Sequence, residues 1–297
     1  MAKRKVSDRH EYHKEAPVPK GCILAIGGKE SKGDGDLKDI QERNKTFESE
    51  EILKFFVDKL PGDNPVVVLV PTASAVPDEM IKMYQDAFAK LGHKHLEVLD
   101  IRTRLEALNP AHLEVVERAN GIFFTGGDQL RITSILGGTA VLELMKERYT
   151  YDDILIAGTS AGATALSTPM IYEVKTKGGF LKGDVRITTG LEFIKNVAID
   201  THFIERGRIV RMAQAITTNP GCIGIGLEED TAIYVTEGRE LEVLGSGLLT
   251  IVDGMRLTST NISEIGSGEP FSVRDLKVHL LAGGERYTIK TYDQLHL

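Results

Sequence analysis

A rhythm in the sequence constrains the fold more than any other feature. Five short apolar runs, within 21–28, 65–74, 95–101, 121–129 and 153–158, alternate with stretches of helical spacing. The helical stretches fall near 48–60, 77–92, 110–119 and on through about 148. Runs this continuous predict strands buried on both faces. Helices between buried strands predict an α/β fold of three layers, doubly wound around a mostly parallel sheet. Three of the runs break into glycines at Gly27-Gly28, Gly126-Gly127 and Gly158 to Gly162. Ligands bind beyond the carboxyl ends of such strands, so these glycine turns should converge on one edge.

The flanking regions differ in texture. Residues 31–46 are polar and read as a loop, and 168–189 read as an irregular, Gly-rich loop. A strand at 196–203 leads to a helix at about 206–217, and short strands dominate from 223 onward. These late strands predict a C-terminal antiparallel extension of the same domain. Residues 1–20 read as a flexible tail, and 21–297 as a single domain, since no linker composition divides them.

Composition narrows the function classes. Formal net charge is −7, which argues against a general nucleic-acid binder. No apolar stretch reaches the length of a membrane span, and the basic N-terminus lacks the apolar core of a secretory signal. No membrane association and a cytoplasmic location are therefore expected. The two cysteines, Cys22 and Cys222, sit in apolar runs and read as reduced core thiols. No His/Cys cluster points to a metal.

Gly158-Thr159-Ser160-Ala161-Gly162 fits the G-x-S-x-G elbow, in which a strained strand-to-helix turn lifts a serine hydroxyl clear of the sheet. Such a nucleophile needs a base, an acid to orient the base, and donors for the oxyanion. Among eight histidines, His202 stands apart because it ends the apolar strand NVAI, where side chains reach the ligand edge. Taken alone, a strand-end histidine is more often structural. Glu228-Glu229-Asp230 closes another apolar strand, IGIGL, and offers the acid. The oxyanion donors are expected to be the amide of Ala161, directly after the serine, and that of Gly127.

Together FFTGGDQ (123–129), GTSAGA (158–163), DTHFIERGRIVRM (200–212) and GIGLEEDTA (224–232) resemble the cyanophycinases, members of a serine peptidase family that also includes aspartyl dipeptidases. The resemblance runs from about residue 21 to about 255. It implies a flavodoxin-like, class I glutamine amidotransferase-like fold with serine in place of cysteine. It also implies Ser160 as nucleophile, His202 as base and Glu229 as orienting acid. A one-residue shift would put the acid at Glu228, and only one of two adjacent strand-end glutamates should face the histidine. The implied activity is hydrolysis of cyanophycin, a poly-aspartate with arginine on each side-chain carboxyl, to β-Asp-Arg dipeptides. No cofactor and no metal are implied, and a homodimer is expected.

In such a family Gln129, Asp200 and Arg206 match positions implicated in substrate binding, and Arg208 and Arg211 join them as candidate carboxylate forks. Arg206 ranks first, because Arg208 and Arg211 share a helix face that solvent would suit equally. Lys175, Lys177 and Lys182 are candidates for the cleft rim. Two alternatives stay open: a dipeptidase acting on short aspartyl or isoaspartyl peptides, and a non-catalytic relative that binds a small ligand. The second would not react with a fluorophosphonate probe.

Overall fold

The computed structural model describes residues 17–33, 37, 39–176 and 178–289. Most of the expected tail, with His10 and His13, and also Lys177 and His296, lie outside the described residues. The first half of the chain follows the expected alternation. β1 (Cys22–Ile26) is followed by α1 (Asp39–Arg43), α2 (Glu51–Asp58), β2 (Val67–Val70), α3 (Pro77–Lys90) and β3 (Leu96–Val98). α4 (Ala111–Arg118), β4 (Gly121–Phe124), α5 (Gln129–Leu136), α6 (Ala140–Tyr151) and β5 (Leu155–Thr159) complete it. Local chemistry marks the helix starts. Pro77 opens α3 at a position whose N–H would have no helical partner. The Asp128 carboxylate caps α5, accepting from the amides of Leu130 and Arg131 at 2.8 and 3.3 Å.

After β5 come the short α7 (Ala161–Ala165), β6 (Ser167–Thr168), β7 (Met170–Val174), β8 (Val185–Thr188), β9 (Ile194–Lys195), β10 (Val197–Thr201) and α8 (Ile209–Thr218). Then follow β11 (Ile223–Leu227), β12 (Thr231–Thr236), β13 (Glu240–Gly245), β14 (Leu249–Asp253), β15 (Ser259–Thr260), β16 (Val273–Arg274), β17 (Lys277–Leu281) and β18 (Arg286–Thr288).

These strands make two principal sheets. The larger has the order β18-β13-β12-β1-β5-β4-β2-β3. Its five strands from the first half are mutually parallel, and β12, β13 and β18 extend it antiparallel beyond β1. The parallel order, 1-5-4-2-3, departs from the 2-1-3-4-5 of a flavodoxin. The reason is that β1 sits at the far side of β5 and serves as the seam to the antiparallel strands. The second sheet, β17-β14-β11-β10-β6-β9, holds the strand that leads to His202. The C-terminal strands therefore divide between two sheets. An apolar run reports that a strand is buried and is silent about its partner.

Two faces of the larger sheet are covered differently. On one, Ile52, Leu53 and Phe56 of α2 and Tyr84 and Phe88 of α3 pack on Leu24, Leu69 and Phe123. Burying each such side chain stabilises the fold by roughly 1.5–3 kcal/mol. On the other, a single apolar cluster joins Ile23, Ile122 and Ile156 to Val116, Ile132 and Met145 of the helices. It continues into Val197, Ile199, Ile225 and Ile251 of the second sheet. α8 closes the outer face of that sheet through Met212 and Ile216.

Two expected loops contain structure. Residues 39–43 form a short helix within the polar 31–46 stretch. Within 168–189, β7 and β8 pair as a hairpin with an irregularity between Ile171 and Glu173, which breaks the alternation that would have marked it. Cys22 and Cys222 are free thiols, both partly exposed rather than sealed in the core. Among the described residues, no helix is long and apolar enough to cross a membrane.

Candidate active site

The end of β1 gathers the site. Three consecutive carbonyls there accept from three separate segments. Ile26 accepts the Ser160 amide at 3.0 Å, Gly27 the His202 amide at 3.1 Å, and Gly28 the Asp230 amide at 3.3 Å. Strand β5, the tip of β10 and the turn after β11 are thus brought side by side. Gly28 is the point of closest approach. Its φ is 103°, and a Cβ there would stand 2.6 Å from His202 Nε2 and 3.1 Å from Ser160 Cβ.

Ser160 sits between β5 and α7 with φ 51° and ψ −114°, a conformation unfavourable for a residue with a side chain. Its Oγ lies 2.9 Å from His202 Nε2. His202 also has positive φ, 48°, and its Nδ1 lies 2.8 Å from Glu229 Oε1. A carboxylate only accepts, so Nδ1 carries the proton and Nε2 is left to accept from the serine. Burial holds the His202 imidazole below its usual pKa. The Glu229 hydrogen bond opposes that shift, and the Arg206 charge reinforces it. The imidazole is therefore neutral at neutral pH, the form that takes up a proton. Lys29 Nζ reaches the same Glu229 oxygen at 2.9 Å.

The neighbouring glutamates diverge. Glu229 turns to the histidine, whereas Glu228 Oε1 accepts the Ile204 amide at 3.0 Å. Burial and the facing Glu205 carboxyl push the Glu228 pKa up to about 8. A cavity of about 400 Å³ opens beside this turn, lined by Glu205, Glu228, Glu229, Asp230, Gln41 and Ser246 among others.

The segments that carry the two expected oxyanion amides both run beside the serine. The Ala161 amide starts α7, where no carbonyl within the helix can take it. The 126–127 turn runs alongside, with a Cβ at Gly126 falling 3.5 Å from Ser160 Cβ. At Gly127, with φ 145°, a Cβ would come within 2.1 Å of the Ala73 carbonyl, so this turn accepts only glycine.

The expected substrate contacts separate into two groups. Arg206 is exposed and close enough for its charge to act on His202. Asp200 is 1% exposed and faces inward, ion-paired to Arg208 at 2.9 Å and gripped by Arg211 through both Nε and Nη2. Arg208 also donates to the Thr201 carbonyl at 2.6 Å, and burial pulls its pKa down to about 10. These three residues form a closed ionic cluster under the site. Gln129 is a tether, its amide donating to the carbonyls of Ile171 and Tyr172 at 3.1 and 3.3 Å. Lys175 is exposed, whereas Lys182 is spent on the Ile265 carbonyl at 2.7 Å.

Sequence reasoning missed Lys29 and Glu30. The buried Glu30 carboxylate accepts from Tyr84 at 2.5 Å and from Thr159, next to the serine, at 2.6 Å, and pairs with Lys32 at 3.1 Å. Burial alone would raise its pKa, but Lys32 and the two hydroxyl donors bring it below the usual carboxylate range. The signal was present: both residues directly follow the Gly27-Gly28 turn already placed at the ligand edge. Among the described residues, no group of three or more His, Cys, Asp or Glu side chains is arranged to hold a metal ion.

Comparison with known proteins places the chain in a family. A family model described as peptidase family S51 matches residues 40–243. The cyanophycinase of Geminocystis herdmanii is 32% identical over 276 residues, covering 93% of this chain and 96% of that one. The cyanophycinase of Trichormus variabilis is 34% identical over 268 residues, covering 90% and 85%. A solved peptidase from an acI-B1 Actinobacterium shares the fold, with a TM-score of 0.62 at 22% identity over 92% of this chain and 98% of that one. With a family match over most of the chain and relatives aligned along nearly all of it, the chain belongs to peptidase family S51.

Proposed function

We propose that this serine peptidase hydrolyses cyanophycin to β-Asp-Arg dipeptides through an acyl-enzyme. The observation that carries the reading is the continuous line from hydroxyl to imidazole to carboxylate, at 2.9 and 2.8 Å. The relatives named cyanophycinase support the substrate, since they align along nearly the whole chain.

In this mechanism Ser160 Oγ attacks the carbonyl of a backbone aspartyl residue while its proton passes to His202 Nε2. Glu229 keeps the imidazole in the required tautomer and stabilises the imidazolium. The amides of Ala161 and Gly127 receive the oxyanion. The tetrahedral intermediate collapses, and the peptide C–N bond breaks as His202 returns the proton to the leaving amine. Water then attacks the ester by the same route, giving back free serine and a new carboxylate.

The substrate repeat offers one carboxylate and one guanidinium. Arg206, exposed beside His202, is the residue best placed to fork the carboxylate. The Asp200, Arg208 and Arg211 cluster acts beneath it, fixing the start of α8 and adding positive charge to that wall. Incubation with purified cyanophycin, followed by mass analysis of products, tests the proposal. The expected product is the β-Asp-Arg dipeptide accumulating from the first minutes. Intact polymer alongside cleavage of short isoaspartyl peptides would overturn it in favour of a dipeptidase.

A further inference from the structure

The loop that carries His202 and the turn that carries Glu229 are joined by a crossed pair of glutamates. Glu205, on the turn after His202, accepts the Glu229 amide through Oε1 at 3.1 Å. Glu228, directly before Glu229, accepts the Ile204 amide through Oε1 at 3.0 Å. Each glutamate thus holds the backbone beside the other. The Glu205 carboxyl also faces Glu228 and, with burial, raises its pKa. Nothing in the serine chemistry uses either side chain, yet Glu228 is 8% exposed, and a buried carboxyl is costly unless it does something for the fold.

We propose that Glu205 and Glu228 are positioning residues: their crossed clasp sets the distance between His202 and Glu229 and so keeps the base oriented. His202 and Glu229 come from the ends of two different strands, β10 and β11. Strand pairing fixes those ends only as far as Thr201 and Leu227. Beyond that point the Phe203 amide still bonds the Leu227 carbonyl, and the clasp adds two side-chain-to-backbone bonds that flank the His202–Glu229 contact. Glycine makes room for it, because a Cβ at Gly247 would come within 2.8 Å of Glu228 Cβ.

Two carboxylates in contact repel, whereas one carboxyl and one carboxylate form a strong hydrogen bond. The charged groups around Glu228 are Glu205 on the facing loop, Glu229 beside it and Asp230 on the same cavity wall, with Lys29 bound to Glu229. The surroundings are predominantly acidic, which agrees with a proton retained to about pH 8. Below that pH the clasp is closed. Above it Glu228 ionises, and charge repulsion loosens the clasp and the alignment of the imidazole.

This inference rests on the Ser160, His202 and Glu229 roles proposed above, so its test has a readout independent of the polymer. The test follows the rate of labelling by a fluorophosphonate, and kcat and KM on cyanophycin, from pH 6 to 10 in wild type, Glu228→Ala and Glu228→Gln. Glu228→Ala should slow labelling and kcat by about tenfold to a hundredfold with KM changed less than about threefold. Glu228→Gln still accepts from Ile204 and carries no charge at any pH. It should recover rates to within about threefold of wild type at pH 7, and it should lack the wild-type decline centred near pH 8. An unchanged decline in Glu228→Gln would overturn the proposal even if Glu228→Ala fails to fold. So would unchanged labelling in a folded Glu228→Ala. A wild type that resists the probe altogether would instead refute the serine mechanism itself.

Discussion

Asp200 and His202 stand two residues apart at the end of one strand, yet they belong to opposite kinds of site. Asp200 lies in a closed cluster whose carboxylate is taken by Arg208, Arg211 and the Thr201 amide. His202 lies in an open line that ends on a hydroxyl in a strained turn, with exposed Arg206 and a cavity beside it. The cluster commits the Asp200 carboxylate to its own neighbours, which helps to hold the chain. The open line keeps a nucleophile, a base and donors ready for a group not yet bound. Saturation of hydrogen bonds separates scaffold from chemistry here more clearly than charge or burial does.

Substitution should break the two halves in different ways. Ser160→Ala should lose roughly four to six powers of ten in turnover while its melting temperature stays near that of wild type. Activity within tenfold of wild type would remove Ser160 from the chemistry. Glu229→Gln should cost about four powers of ten in kcat, since an amide can favour the wrong imidazole tautomer. A larger loss from Glu228→Gln would move the orienting role one residue back.

On the scaffold side the readout reverses. Asp200→Asn leaves two guanidinium groups without their carboxylate, and denaturant unfolding should register a loss of about 3–5 kcal/mol. Unchanged stability accompanied by a raised KM would make Asp200 a substrate ligand after all. Gly28→Ala probes the seam between the halves. The added Cβ meets His202 Nε2, so kcat should fall about a hundredfold or more in a folded protein.

Arg206 sharpens the comparison with a smaller effect. Arg206→Lys keeps the charge but loses the fork, and kcat/KM should drop by about 2 kcal/mol as substrate covers the pair. Arg206→Gln has a second signature. The Arg206 charge lowers the His202 pKa, so removing it should raise that pKa and move the acid limb of kcat/KM to higher pH. A limb that stays in place would mean that Arg206 does not act on the imidazole.

Much of this was legible in the sequence because strand ends announce themselves. Apolar runs that stop at Gly27, Gly126, Gly158 and His202 located the ligand edge, and period-two alternation required Glu228 and Glu229 to diverge. The sheet to which β10 belongs was hidden, since buried strands look alike whatever they pair with. The pairing of Asp200 with Arg208 and Arg211 was hidden, because sequence shows the charge and not the direction of the side chain. The β7–β8 hairpin was obscured by its irregularity, and Glu205 by an exposed, charged helix approach that usually carries no signal.

The most direct measurement is peptide mapping of the fluorophosphonate adduct, made on the same preparation that is assayed on cyanophycin. The account predicts one adduct, on Ser160, whose formation abolishes hydrolysis in proportion to labelling. An adduct on another residue, or full cyanophycin hydrolysis by protein completely labelled at Ser160, would contradict it.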